Sequence, residues 1–204
     1  MTVCKEAYHL FHMLKLTTYI PLFFILTSFL ESGCITNYIL PNGKSLELKV
    51  YDDTLAGSMS RNLFQGISIE TIVKQREDLL APGREEVYSI CALVENLVVG
   101  VCTGVRGRWF GERHRIEFVQ AVVHEGFRSL GIARLMMKEI ASHFKAYGVE
   151  IAEISVESDN HDAFLAYTKI GFIQYGILRS GLKYDDAYSD EILLAMPLSE
   201  LLNM

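Results

Sequence analysis

Apolar residues fall into two regimes along this chain. From Leu16 to Leu30 it reads LTTYIPLFFILTSFL, an uncharged run without amphipathic spacing, whereas after Asn37 apolar positions either alternate or recur at helical steps. SLELKVYD, Ser45 to Asp52, has strand character. Between Asp53 and Leu80, residues Leu55, Met59, Leu63, Ile67, Ile72 and Leu79 recur at broadly helical intervals, and Gly66 divides the stretch into two helices. VYSICALVEN and LVVGVCTGVRG are β-rich runs that meet at Glu95-Asn96, a hairpin signal, and RIEFVQAVVH, Arg115 to His124, is the next strand. After Gly131, Ile132, Leu135, Met136, Ile140 and Phe144 mark the apolar stripe of a helix, with Lys138, Glu139, Ser142 and Lys145 on its other face. IAEISVESDN alternates as a strand, and NHDAFLAYTKIGF, Asn160 to Phe172, is a short helix with Asp159 or Asn160 as its N-cap and Gly171 as a left-handed C-cap. No repeat and no Pro/Gly/Ser-rich linker divides the chain. It reads as one α/β domain over 37–204 behind a hydrophobic N-terminal extension, 1–36.

Composition narrows the function classes. With 204 residues, 50% of them hydrophobic, the chain can bury a full core. A net charge of -6 speaks against a broad phosphate-binding face, so nucleic acid is not an expected partner. Cys4, Cys34, Cys91 and Cys102 lack any CxxC or Cys/His ligand spacing, so no metal is expected, and Cys91 and Cys102 read as reduced, buried small hydrophobes. The N-terminal run, preceded by Lys5 and Lys15 and followed by ESGC, fits a signal-peptide core, a short anchor, a packed helix, or an upstream extension without a functional role. ESGC is a faint lipoprotein box, because Glu31 stands where that pattern wants an apolar residue.

The segment VVHEGFRSLGIARL, Val122 to Leu135, carries the chemistry. It runs from a strand through a short turn into a helix whose first backbone N–H groups, from about Ser129 to Ala133, have no intrahelical acceptor. The helix dipole adds roughly half a positive charge there, which makes the turn an anion site. Gly131 admits close backbone approach, Ala133 is small, and Arg128 adds a cation, so a diphosphate is the natural guest. The turn lacks the Lys-Ser/Thr pair of a Walker loop and the three glycines of a dinucleotide fingerprint.

Arg128-x-x-Gly131-x-Ala133 after a strand resembles the acetyl-CoA motif of the GNAT family of N-acetyltransferases, Arg/Gln-x-x-Gly-x-Gly/Ala. Asn160-x-x-Ala163-x-x-x-Tyr167-x-x-x-Gly171-Phe172 is similar to that family's second motif, in the expected order along the chain. The resemblance covers roughly Ser45 to Leu198 and departs from the common form at Ser129 and Ala133, where glycine is frequent. It implies an α/β (α+β) GNAT fold: a mixed central sheet, flanked by helices, whose two parallel strands, about 116–123 and 151–157, splay apart to admit the pantetheine arm of acetyl-CoA. It further implies that Ala121, Val122 and Val123 offer main-chain groups to pantetheine, and that Arg128, Ser129, Leu130, Gly131, Ile132 and Ala133 hold the diphosphate. Asn160 would contact the pantetheine arm, and Tyr167 would sit near the thioester sulfur, where a hydroxyl can protonate the departing thiolate.

An amine near pH 7 must lose a proton before it attacks an acetyl carbonyl. Glu117, on the strand leading to the cofactor, is the first candidate base, ahead of His114 and His124; its plain alternative is a solvent-facing or Arg115-paired carboxylate. The expected acceptor is an amine, on a small molecule, an amino acid or a peptide. Asp185, Asp186, Asp190 and Glu191, gathered before the final strand, form either an acidic rim for a cationic amine or a solvated loop. Trp109 and Phe110 either line the acceptor entrance or pack beneath a hairpin. Two other classes stay open: a catalytically silent acyl-CoA sensor or partner-binding module, and a membrane-associated form. The lysines before the apolar run would place a spanning chain's remainder outside the cytosol, away from acetyl-CoA, so the expected location is cytoplasmic. A homodimer is left open.

Overall fold

The alternating segments of the first half build an antiparallel meander. In the computed structural model, which describes residues 36–80 and 86–204, strands β1 (Thr36–Ile39), β2 (Ser45–Val50), β3 (Val87–Val94), β4 (Leu97–Arg106) and β5 (Arg115–Val123) lie side by side in chain order. The β3–β4 hairpin turns on Glu95 and Asn96, with φ of 52° and 64°, the left-handed pair that matches the twist of the flanking strands. Strands β6 (Ile151–Glu157), β7 (Ile173–Tyr184) and β8 (Ala187–Pro197) complete the order β1-β2-β3-β4-β5-β6-β8-β7. Every neighbouring pair is antiparallel except β5–β6.

Helices cover both faces. Helices α1 (Ala56–Asn62) and α2 (Ile69–Leu80) precede β3, α3 (Ile132–Lys145) connects β5 to β6, α4 (His161–Ile170) follows β6, and α5 (Leu198–Asn203) ends the chain. The larger core joins Ile132, Met136, Ile140 and Phe144 of α3 to Ile90, Cys102, Ile116, Phe118 and Ile154 of the sheet. Helix α3 lies so close to β4 that a Cβ on Gly104 would sit 2.4 Å from Ile140 Cγ2. On the opposite face Ala56, Met59 and Ile72 pack on Cys91, Leu93, Val98 and Val101. Cys91 and Cys102 are buried free thiols, pushed by burial to a pKa of about 12.

Two expectations need correction. Ile67 lies in the link between α1 and α2 rather than in a helix, because Gly66, at φ 89°, has already ended the helical path. The acidic segment before the final strand is no compact loop: β7 and β8 form a long hairpin with Asp185 at its turn and Asp190 and Glu191 on β8. β7 is exposed along nearly its whole length, so its sequence never shows the apolar alternation that marks a half-buried strand. The apolar run 16–30, with Cys4 and Cys34, lies outside the described residues. Among the described residues no helix is long and apolar enough to cross a membrane.

Candidate active site

The sheet opens where β5 and β6 part. Their parallel pairing runs from Arg115↔Ile151 to Phe118↔Ile154 and stops, although β5 continues to Val123 and β6 to Glu157. The cause is a bulge. Against β4 the register passes from Thr103↔Val119 to Val101↔Val122, one extra residue on β5, and Gln120 within it takes φ 53°. His124 N–H bonds the Val99 carbonyl at 2.8 Å, so ladder bonds to β4 fall on residues 122 and 124. By the same alternation, the main-chain groups of Ala121 and Val123 point toward the gap, and those of Val122 turn to β4. The Val122 side chain packs in the smaller core.

Directly after β5 the chain forms the cradle. Ser129 and Gly131 take left-handed φ of 63° and 81°, an alternation that curls successive N–H groups toward a concave side. The first helical bond is Leu135 N–H to Gly131 C=O at 3.1 Å, so the amides of Gly131 to Arg134 precede the α3 ladder. Gly131 has no side-chain cap to occupy them, and a Cβ there would meet nothing within 4 Å. The space above the amides is therefore free of protein. Ile132 is fully buried, and Leu130 and Ala133 pack on the core, so these three fix the turn while their amides stay on its rim. Arg128 is exposed, and its Nε donates to the Val123 carbonyl at 3.3 Å, holding the guanidinium beside the strand end.

Helix α4 closes the gap from the other side. Asn160 is its N-cap: Oδ1 accepts from Ala163 N–H at 3.2 Å, which leaves the amide Nδ2 for another partner. Gly171 ends the helix at φ 110°, and the following Phe172 enters the core. Tyr167 packs edge-on against Phe172 at 6.3 Å and is 9% exposed; burial, with Cys102 nearby, pushes its hydroxyl up to about 12. That group holds its proton at every physiological pH.

Glu117 stands at the mouth of the split. It pairs in register with Glu153 across the parallel strands, on the face opposite α3. Desolvation raises its pKa above the usual 4.5, and the charges of Glu153 and Glu191 raise it further. Arg115 does not neutralise it, because that guanidinium pairs with Glu153 at 3.0 Å and with Glu112 at 3.2 Å. A cleft of about 400 Å³ adjoins these groups, lined by Arg106, Trp109, Glu112, Arg115, Glu117 and Glu153. Trp109 thus lines this cleft, whereas Phe110 is 95% exposed beside it. Of the four acids in the final segment, Glu191 reaches the Glu117 group, and Asp190 is occupied by Arg179 and by Ser180 N–H at 2.9 Å. His124 is held in the turn, its Nδ1 accepting from Gly126 N–H at 3.1 Å.

Three contributors were not singled out from the sequence. Glu153 becomes visible only through the β5–β6 register. Gln120 carries no sequence mark of its bulge. Arg76 did leave a signal, as a charge on the buried stripe of α2 with Ile72 and Val73.

A mixed sheet opened at its parallel pair, with a bare helix start at the opening, defines an α/β transferase of the acyl-CoA-dependent kind. Residues 58–172, more than half of the chain, match the Acetyltransferase (GNAT) family, and the chain belongs to that family. No curated protein matches it. Among solved structures it is similar to Mycobacterium smegmatis RimJ in complex with CoA-disulfide, at 18% identity and a TM-score of 0.65, over 82% of this chain and 88% of that one. It is also similar to yncA from Salmonella typhimurium with acetyl-CoA, at 13% identity and a TM-score of 0.58, over 75% and 94% of the two chains. A chimera of the spermidine N-acetyltransferase SpeG from Vibrio cholerae with hSSAT matches at 15% identity and a TM-score of 0.61, over 78% and 99%. The shared feature at these identities is the fold.

Proposed function

We propose that residues 37–204 transfer an acetyl group from acetyl-CoA to an amine by direct attack, in the cytoplasm. The reading rests on one observation: unpaired amides of the Ser129 to Arg134 turn border protein-free space at the point where β5 leaves β6. Those residues fit the cofactor. The amides of Ser129, Leu130, Gly131, Ile132 and Ala133, with the Arg128 guanidinium, would hold the diphosphate. Ala121 and Val123 would pair with the amides of the pantetheine arm as a strand does, and Asn160 Nδ2 would meet the same arm. Bound there, acetyl-CoA supplies an acetyl thioester.

The chain's own side chains then handle protons. Glu117, its pKa raised toward neutrality and unpaired by Arg115, accepts the proton of the incoming ammonium, directly or through water. Tyr167, protonated throughout, donates to the departing sulfur. The charges of Glu153 and Glu191 beside Glu117 favour a cationic acceptor at the cleft.

Calorimetry of the full chain with CoA and acetyl-CoA, joined to thiol release across a panel of amines, tests the reading. Heat with both ligands and turnover with an amine is the expected result. Absence of heat from folded protein ends the assignment; heat without turnover for any amine makes the chain a silent acyl-CoA sensor.

A further inference from the structure

Among the described residues, Arg76 is the sole charged side chain in the buried set, at 3% exposure. It lies between α2 and the sheet face opposite α3. One edge of its guanidinium is tied down: Nη1 donates to Thr103 Oγ1 at 2.8 Å and to Gln120 Oε1 at 2.9 Å, and Thr103 shares a hydrogen bond with Ser89 Oγ at 2.8 Å. Its flat face lies over the Tyr51 ring at 4.4 Å. These contacts fix the plane and the rotation of the group.

The other edge is empty. Nε and Nη2 are buried with no hydrogen-bond partner, and so is the Tyr51 hydroxyl. Nε–H and Nη2–H point the same way from the guanidinium plane and form the fork that grips both oxygens of a carboxylate. Among the described residues no ion pair reaches Arg76. Asp53 contributes a weak field while remaining solvent-exposed. A buried, fixed and permanently charged fork without an anion is costly, and the cost is recovered when an anion fills it.

Its place in the sheet says which anion. Thr103 pairs with Val119 and Val105 with Glu117, so Thr103 and Glu117 are diagonal neighbours on one face, about 7–8 Å apart. We propose that the Nε–Nη2 edge of Arg76 receives the carboxylate of the acceptor while its amine turns to Glu117, which makes the acceptor a free amino acid. This rests on the transferase reading above and narrows it. A short molecule bearing both groups bridges the two residues, whereas a polyamine or a protein N-terminus leaves the fork empty. Helix α2 is seated by side chains such as Ile72 and not by a strand ladder, so a small outward shift admits the carboxylate.

The test uses the full chain, saturating acetyl-CoA and thiol release as the readout. Three acceptor sets are compared: the free amino acids, their carboxamides, and spermidine. We expect kcat/KM for at least one free amino acid to exceed that of its carboxamide more than tenfold. Arg76→Lys, which keeps the charge and loses the fork, should bring that ratio close to one, mainly through KM, with calorimetric CoA affinity unchanged. Should Arg76→Lys fail to fold by circular dichroism, Tyr51→Phe serves instead and should lower the ratio several-fold. Carboxamides or spermidine acetylated as well as the acids, a ratio indifferent to these variants, or no acetylation of any amino acid by protein that binds CoA would each overturn the carboxylate site alone. Absence of CoA binding removes the transferase reading and this proposal together.

Discussion

Glu117 and Glu153 face one another in register across β5 and β6, one pair before the pairing ends at Phe118 and Ile154. Two like charges at the rim of an opening sheet raise the proton affinity of the one that lacks a cationic partner, and Arg115 has chosen Glu153. The arrangement places a poised base where the strands divide.

A pH dependence follows from that pair. If Glu117 accepts the acceptor's proton, activity requires its carboxylate, and the acid limb of kcat/KM lies above the ordinary glutamate range. Glu153→Gln removes the neighbouring charge and releases Arg115, both of which favour the ionised form, so the limb should move to lower pH. A pH–rate profile that stays in place in Glu153→Gln would separate Glu117 from the observed limb.

Stability responds to the same group with the opposite sense. A carboxyl with a raised folded pKa binds its proton more tightly in the native state, so native stability falls as pH rises from the unfolded value through the folded one and stays reduced above it. Glu117→Gln should therefore raise the melting temperature at pH 7 while abolishing turnover, and should leave stability near pH 4 almost unchanged. Thermal melts at the two pH values check it.

The cradle is open to a charge test. Gly131→Glu places a carboxylate over the free amides, and because no protein atom lies within 4 Å of its Cβ, the fold survives at a cost of about 1–2 kcal/mol for the left-handed backbone. CoA binding should be lost in calorimetry with the helical circular dichroism retained. Ser129→Gly trades relief of the left-handed serine against roughly 0.5–1 kcal/mol of added chain entropy, so stability should be nearly unchanged.

Tyr167→Phe should lower kcat by about 100-fold, the low end for general-acid catalysis, with CoA affinity held. The ring contact with Phe172 needs no hydroxyl, so the variant stays folded. Equal kcat in steady-state kinetics would return Tyr167 to a packing role.

Gly104→Ala tests how α3 is seated. The added methyl meets Ile140 Cγ2 at 2.4 Å and Phe144 at 3.0 Å, and overpacking of that kind costs about 1–3 kcal/mol. Chemical denaturation should register that loss, and CoA affinity should fall with it, since α3 carries the cradle at its start.

Much of this fold was legible along the chain. Strand and helix limits followed apolar spacing closely from Ser45 to Phe172, because each of those elements buries one face and leaves the other wet. The turn at Arg128 to Ala133 and the helix beginning at Asn160 declared themselves through glycine, cap and charge, which act locally. The β7–β8 hairpin did not, since a strand exposed along most of its length has no periodicity to read.

What the sequence by itself determined is the set of elements and the anion-binding turn, since backbone geometry and unpaired amides depend on neighbours in the chain. Only the tertiary structure decided that Glu117 meets Glu153, that β5 bulges at Gln120 and leaves β6, and that Arg76 turns an empty fork toward the same face. Those facts depend on strand register and on packing between segments distant in sequence, and a one-residue slip of either strand would send each side chain to the other side of the sheet.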